Sequence, residues 1–215
     1  MPADVDVEVS VLLDDPMHGL QTAVADHPTS LLVVGTRSKG KDRLGSTAEQ
    51  MVRSSPAPVL VVPSHTRDLE ISRVLAPVDL TEISRESLRE AIDISRHWRA
   101  ELLVHHAFVM PSSTGLAGES SSVGEELADD PDEDDQWEKF HQFLEEFDLT
   151  DIDHRTLLRL EKAAPSILEA ASEKDIDLIV MGTHSETGIM RFVFGSHAIK
   201  VLRNAPCPVL VVREN

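Results

Sequence analysis

Gly182, Gly195 and Ser196, together with the carboxylate of Asp79, are the residues whose types and spacing suit the holding of an anionic ligand. Leu178-Ile-Val-Met-Gly182 is an apolar, β-branched run that ends in glycine, and a polar loop follows it. Gly195-Ser196 then opens the periodic segment Ser196-His-Ala-Ile-Lys-Val-Leu-Arg-Asn204. Strand, loop and helix start are the expected reading. The first turn of a helix leaves its amides without intrahelical partners at the positive end of the dipole, which suits a phosphate. Here those amides belong to Ser196, His197 and Ala198, behind Gly195. Met181, Gly182 and Ser185 are expected to line the turn. Gly182 is expected to let the chain turn sharply as the strand ends, and Gly195 to admit a ligand close to the main chain. Arg191, inside the loop, is long enough to reach a phosphate.

Other chemistries find less support in the residues. His105 and His106 are neighbours on a predicted strand, so they point to opposite faces and cannot share one metal ion. No Cys/His spacing fits a zinc site. No nucleophile elbow, Walker loop or Gly-x-Gly-x-x-Gly accompanies the serines and histidines, so the sequence offers no catalytic constellation.

Lys and Arg number 20 against 38 Asp and Glu, a formal net charge of −18 that argues against a nucleic-acid backbone or an anionic membrane as partner. The same charge repels free ATP at long range, a repulsion that salt screening and bound Mg²⁺ both weaken. It also suits the solvated surface of a salt-adapted, halophile-like cytoplasmic protein. Cys207 is the single cysteine, which excludes an internal disulfide and points to a reducing compartment. Its setting, Pro206-Cys-Pro-Val-Leu-Val-Val212, predicts an inert buried thiol. No apolar run reaches the 18 residues of a membrane span, and the first residues are acidic rather than signal-like, so a cytosolic location is expected.

The chain repeats itself. Leu31-Leu-Val-Val-Gly35-Thr36 matches Leu178-Ile-Val-Met-Gly182-Thr183, and residues 45–62 match 195–212 at ten of eighteen positions. The repeats are unequal: Arg73-Val-Leu-Ala-Pro-Val-Asp79 has no counterpart in the first, and the loop before Gly45 is three residues shorter than that before Gly195. The expected division is a truncated half domain at 1–64, a linker at 65–70 and a complete domain at 71–215, with a disordered acidic insert at 111–135. In the first repeat, strands are expected at 5–13, 31–34 and 59–62, with helices at 16–25 and 46–53. In the second, strands are expected at 73–78, 101–108, 154–160, 178–181 and 208–212, with helices at 82–98, 136–147, 165–173 and 196–203. Thr81 is the expected cap of the helix from Glu82, whose inner face is Leu88, Ala91, Ile92, Ser95 and Trp98. Trp137, Phe140, Phe143, Leu144 and Phe147 form a stripe expected to be core. Alternating strands and helices imply a parallel sheet covered on both faces.

The segment from Gly182 resembles the C-terminal signature of the universal stress protein family, Gly-x2-Gly-x9-Gly-Ser/Thr, and a looser resemblance to the family runs through both repeats. Here it reads Gly182-x2-Ser185-x9-Gly195-Ser196, with serine in place of the second glycine. The resemblance implies an open five-stranded parallel sheet of order 3-2-1-4-5, the adenine nucleotide alpha hydrolase-like fold, plus a partial second copy. That order sets the strand ending at Asp79 beside the strand ending at Gly182, at the point where ligands bind in such sheets. Ala76-Pro77-Val78-Asp79 fits the family's Val-Pro-x-Asp pattern, so the resemblance gives Asp79 a contact with the adenosine part of ATP, Pro77 and Val78 its flank, and Ala107 a main-chain contact with adenine. A helix cap is an alternative role for Asp79, compatible with the first. The implied function is a stress-response protein whose second repeat binds an adenine nucleotide, with Mg²⁺, without turnover; a non-nucleotide interaction module of the same family is the competing reading. The resemblance also implies pairing through final strands, here Val59–Val62 with Val209–Val212. Separately, the apolar surface that the shortened first repeat exposes along Leu31–Val34 leads to an expected association between chains.

Overall fold

The computed structural model describes residues 6–26, 31–36, 44–66, 69–109, 133–182 and 195–213. In chain order the elements are α1 (Pro16–Asp26), β1 (Leu32–Gly35), α2 (Ser46–Ser54), β2 (Val59–Val62), β3 (Arg73–Val78), α3 (Glu82–Trp98), β4 (Glu101–Phe108), α4 (Glu133–Leu144), β5 (His154–Leu160), α5 (Ala163–Glu173), β6 (Leu178–Gly182), α6 (Ser196–Asn204) and β7 (Val209–Val212). The seven strands form one sheet in the order β1-β2-β7-β6-β3-β4-β5. Within the second repeat this is 3-2-1-4-5, all parallel, because each crossover passes through a helix.

β2 and β7 join the repeats antiparallel, with Val59 opposite Val211, Leu60 opposite Leu210 and Val61 opposite Val209. The pairing expected of Val59–Val62 and Val209–Val212 is therefore formed inside one chain. The contact is reinforced around α2, where Glu49 accepts from Arg203 at 2.7 Å and from Arg53 at 3.1 Å. The Arg213 guanidinium also donates to the Val52 carbonyl at 2.8 Å, satisfying one of the orphan acceptors at a helix end.

Two cores flank the sheet. On one face α2, α5 and α6 bury Val52, Ile167 and Val201 against Leu75, Ile179 and Val209. On the other, α3 and α4 bury Leu88, Ile92, Phe140 and Phe143 against Val74, Val104 and Val180. The stripe on α4 is thus core packing as expected, with Phe140 and Phe143 buried and Trp137, Leu144 and Phe147 packed at its margin. Asp177 sets the register at the amino ends of β3 and β6: its Oδ2 accepts the N–H groups of Ser72 and Arg73, each at 2.9 Å.

Several expectations are corrected. Residues 6–13 belong to no strand and lie exposed, with Val9 at 84% and Leu13 at 101%. A half-apolar strand is stable only beside another edge, and among the described residues none lies along it. Trp98 is 46% exposed in the last turn of α3, which ends at Arg99 with φ 55. Thr81 holds the cap position of α3, but its side chain makes no capping hydrogen bond. Residues 133–135, assigned to the acidic insert, are the first turn of α4, where three acidic side chains favour the helix dipole. The rest of that insert lies outside the described residues.

Candidate functional site

β3 and β6 are adjacent and parallel, with Val74 opposite Leu178 and Leu75 opposite Ile179. Chain direction then places Asp79, next after β3, and Gly182, last of β6, at the same edge of the sheet. The helices that follow these strands go to opposite faces, α3 to one core and α6 to the other. Such a divergence opens a crevice beyond the carboxyl ends of the strands.

Asp79 organises one wall. Its Oδ1 accepts from the hydroxyls of Thr81 and Ser84 and from the Thr81 N–H, while its own N–H donates to Ser84 Oγ at 2.9 Å. The carboxylate thus ties the turn that enters α3 to Ser84 of its first turn, without accepting any of the helix's own amides. The turn forces Leu80 to φ 62, a left-handed conformation that costs a residue with a Cβ about 1 kcal/mol or more. Pro77 and Val78 sit at the end of β3 opposite His105 and His106, with Val78 buried. Ala107 is half-buried on β4 opposite Arg159.

Gly182 plays a different part from the one expected. A Cβ at this position would stand 2.8 Å from Ile83 Cγ1 and 2.9 Å from the Ile83 carbonyl oxygen, so glycine is required by the close approach of α3 rather than by a turn. Met181 is buried in the core beneath it.

Gly195 differs again. Among the described residues a Cβ there would meet nothing within 4 Å, which leaves the main chain open on that side. It is the N-cap of α6, and no side chain caps the helix; the first intrahelical bond runs from the Ile199 N–H to the Gly195 carbonyl at 3.3 Å. The amides of Ser196, His197 and Ala198 therefore have no partner within the helix. Ser196 and His197 are exposed, and Ala198 anchors the turn in the core that holds Met181. Amides free of intrahelical bonds, an open glycine and a carboxylate are donor and acceptor groups that fit a nucleotide. Ser185 and Arg191 lie outside the described residues.

Sequence reasoning missed what the two histidines do. They do point to opposite faces: His105 Nε2 meets Ser166 Oγ of α5 at 2.9 Å, and His106 Nδ1 donates to the Val78 carbonyl at 2.8 Å. Burial first, then the electrostatic effect of its neighbours His106 and Arg159, pushes His105 down to about 4. A small polar residue on α5 facing a strand histidine was the available signal. A separate cleft of about 400 Å³ lies at the amino ends of the strands, but its Arg73, Arg155, Glu101 and Asp175 pair with one another. Burial holds the Cys207 thiol up at about 12, consistent with an inert group.

The model of the universal stress protein family matches residues 2–63 and again 70–213. The chain belongs to that family. A universal stress protein of Methanocaldococcus jannaschii is 33% identical over 144 residues, 66% of this chain and 82% of the relative. One from Mycolicibacterium smegmatis is 26% identical over 198 residues, 88% of this chain but 63% of the relative, so this chain spans less than two thirds of that protein. Among solved structures, a universal stress protein from Archaeoglobus fulgidus has a TM-score of 0.70 at 20% identity, covering 94% of this chain and 68% of that one. Another, described as a complex with cAMP, has a TM-score of 0.50 at 17% identity, covering 67% of this chain and 98% of that one.

Proposed function

We propose that residues 71–215 form the ligand-binding unit of this universal stress protein, and that the crevice between Asp79 and the start of α6 holds ATP or another adenine nucleotide. The observation that carries this reading is the uncapped first turn of α6 behind an open Gly195. Its amides would hold the phosphates, with Ser196 and His197 beside them, Met181 and Gly182 beneath, and Ser185 in the intervening loop. Asp79 already accepts two hydroxyls on Oδ1, and the same carboxylate would accept from ribose. Pro77, Val78 and Ala107 would bound the adenine. A bound Mg²⁺ would offset the repulsion of the acidic chain for the phosphates. The related protein solved with cAMP supports an adenine nucleotide as the ligand class. The reading assigns no turnover: occupancy is the signal, in a cytoplasmic stress-response protein. Among the described residues no helix is long and apolar enough to cross a membrane, and no group of three His, Cys, Asp or Glu could hold a metal ion.

A second reading, an assembly module whose crevice is vestigial, is favoured by the intrachain β2–β7 pairing. It makes residues 1–64, joined by 65–70, chiefly a partner for β7. Calorimetric titration of the chain with ATP and Mg²⁺, beside its Gly195→Val variant, separates the two. Saturable binding by the parent that Gly195→Val abolishes supports the nucleotide reading; no heat from the parent ends it and leaves the assembly module.

A further inference from the structure

The backbone that carries Asp79 is held by the sheet mainly from one side. Among the described residues β6 pairs with β3 at Val74 and Leu75, and from Ala76 to Val78 the register continues with β4 alone, ending where Val78 meets His106. Within that stretch Pro77 has no N–H to give to the ladder. A strand end with few ladder bonds opens easily. Asp79 lies one residue beyond it.

Two side chains make up the difference, and they grip opposite ends of one peptide unit, that joining Val78 to Asp79. Its carbonyl, on Val78, accepts from His106 Nδ1 at 2.8 Å, and its N–H, on Asp79, donates to Ser84 Oγ at 2.9 Å. The C=O and N–H of a trans peptide point opposite ways in one plane, so the two bonds together fix that plane. Ser84 Oγ also donates to Asp79 Oδ1, which orients the carboxylate from the atom that holds its main chain. Both gripping residues are themselves held. His106 is 6% exposed, with its ring centre 5.6 Å from that of the buried Phe140 and its plane 14° from that of Phe108. An imidazole among phenylalanines is costly to bury without a hydrogen bond, and the Val78 carbonyl supplies one. Ser84 is buried in the first turn of α3, next to Ile83, whose carbonyl oxygen stands against Gly182 on the other wall of the crevice.

We propose that His106 and Ser84 are positioning residues of the crevice, clamping the peptide between Val78 and Asp79 so that the Asp79 carboxylate is set for a ribose hydroxyl before the ligand arrives. The inference rests on the nucleotide reading of the crevice and adds to it the residues that make it rigid. Such preorganisation enters the affinity, because an acceptor that is ordered only on binding gives back part of its hydrogen-bond energy. The clamp reaches the ligand only through Asp79. That distinguishes it from two residues that merely fill the core.

The test is calorimetric titration of the full chain with ATP and Mg²⁺, for variants that open the clamp, in the parent and in an Asp79→Ala background. His106→Phe keeps a ring beside Phe140 and lacks the donor, His106→Leu lacks it with a smaller group, and Ser84→Ala deletes a single oxygen. Those that keep the parent's circular dichroism spectrum are read. Each is expected to weaken ATP binding by about tenfold, the worth of one hydrogen bond. His106→Asn, whose side-chain N–H can leave from the position of Nδ1, is expected to restore affinity to within about twofold of the parent. In the Asp79→Ala background the same substitutions are expected to cost nothing further, the non-additivity of residues that act through one group. Parent-like binding without the donor or without the Ser84 oxygen overturns the clamp and leaves the nucleotide reading standing. So does a loss of equal size in both backgrounds, or a His106→Asn variant as weak as His106→Phe, since either assigns the residues to packing alone. No saturable binding by the parent ends the nucleotide reading and the clamp with it.

Discussion

Leu60 of β2 lies directly opposite Leu210 of β7, and the two occupy the same position in the two sequence repeats. Val59 faces Val211 and Val61 faces Val209, so every pair around that centre is matched by its own mirror under exchange of the repeats. A local two-fold axis therefore passes between the two leucines. An antiparallel strand pair of this kind is the interface a symmetric dimer would use, here built into one polypeptide. The surroundings are not symmetric: Leu210 is buried under α3 and α4, while Leu60 is packed at the margin of that core.

That asymmetry predicts unequal costs for equivalent substitutions. Leu210→Ala should destabilise by about 3 kcal/mol, a cavity in a closed core. Leu60→Ala should cost about 1 kcal/mol, the transfer term of a partly covered side chain. Urea unfolding midpoints of the two variants check this, and equal shifts would mean that both repeats bury that face alike.

Much of this arrangement was legible in the residues. The strands 59–62, 73–78, 101–108 and 154–160 follow from β-branched runs bounded by Pro, Asp or Gly, because such runs pair in almost any buried sheet. The strand order came from the resemblance in Gly182, Gly195, Ser196 and Asp79. What escaped depends on neighbours that no local pattern reports. Residues 6–13 have the strand alternation but lack an adjoining edge. Trp98 has the helical spacing, yet it lies in the last turn of α3 and stays 46% exposed. Gly182 looked like a turn glycine, whereas Ile83, about a hundred residues away in the chain, is what excludes a side chain there.

The two glycines of the crevice give opposite predictions for the same change. Gly182→Ala drives a Cβ into the Ile83 main chain, which cannot retreat without moving α3, so a loss of about 2 kcal/mol is expected. Gly195→Ala places its methyl in open space among the described residues, and the N-cap preference for glycine offsets the entropic gain, so the folded protein should change little in stability. On the proposed function, the Gly195 variant is the one that loses nucleotide affinity while its melting temperature holds. Thermal unfolding beside calorimetric titration of each variant reads both effects.

Asp79 carries two roles that two substitutions can part. Asp79→Ala removes the acceptor for Thr81 and Ser84 and should cost about 1–2 kcal/mol through the lost hydrogen bonds of the turn that enters α3. Asp79→Asn keeps an oxygen acceptor and most of that stability, but it removes the charge that strengthens a hydrogen bond from ribose. Asparagine should therefore weaken ATP binding by about tenfold, one charge-assisted bond, with little change in melting temperature. An Asn variant that binds as tightly as the parent would assign Asp79 to holding the turn before α3 alone.

His105 makes stability depend on pH in a defined window. It is buried on β4 against Ser166, with Nδ1 lacking a partner, and burial holds it down at about 4 rather than the usual 6.5. The folded protein therefore keeps this ring neutral through a range in which the unfolded chain protonates it. Its contribution is complete above pH 6.5 and is lost as pH falls, because there the unfolded state binds one more proton. The loss accrues at up to about 1.4 kcal/mol per pH unit and stops near pH 4, where the folded ring also takes up a proton. Carboxylates titrate in the lower part of the same range, so the measurement is the difference between the parent and His105→Gln, which offers Ser166 an amide of similar reach. Urea midpoints taken from pH 7.5 down to pH 4 should show the variant losing less stability than the parent between pH 6.5 and pH 5, above the range of most carboxylates. Parallel curves through that interval would mean that the ring already carries a proton in the folded protein.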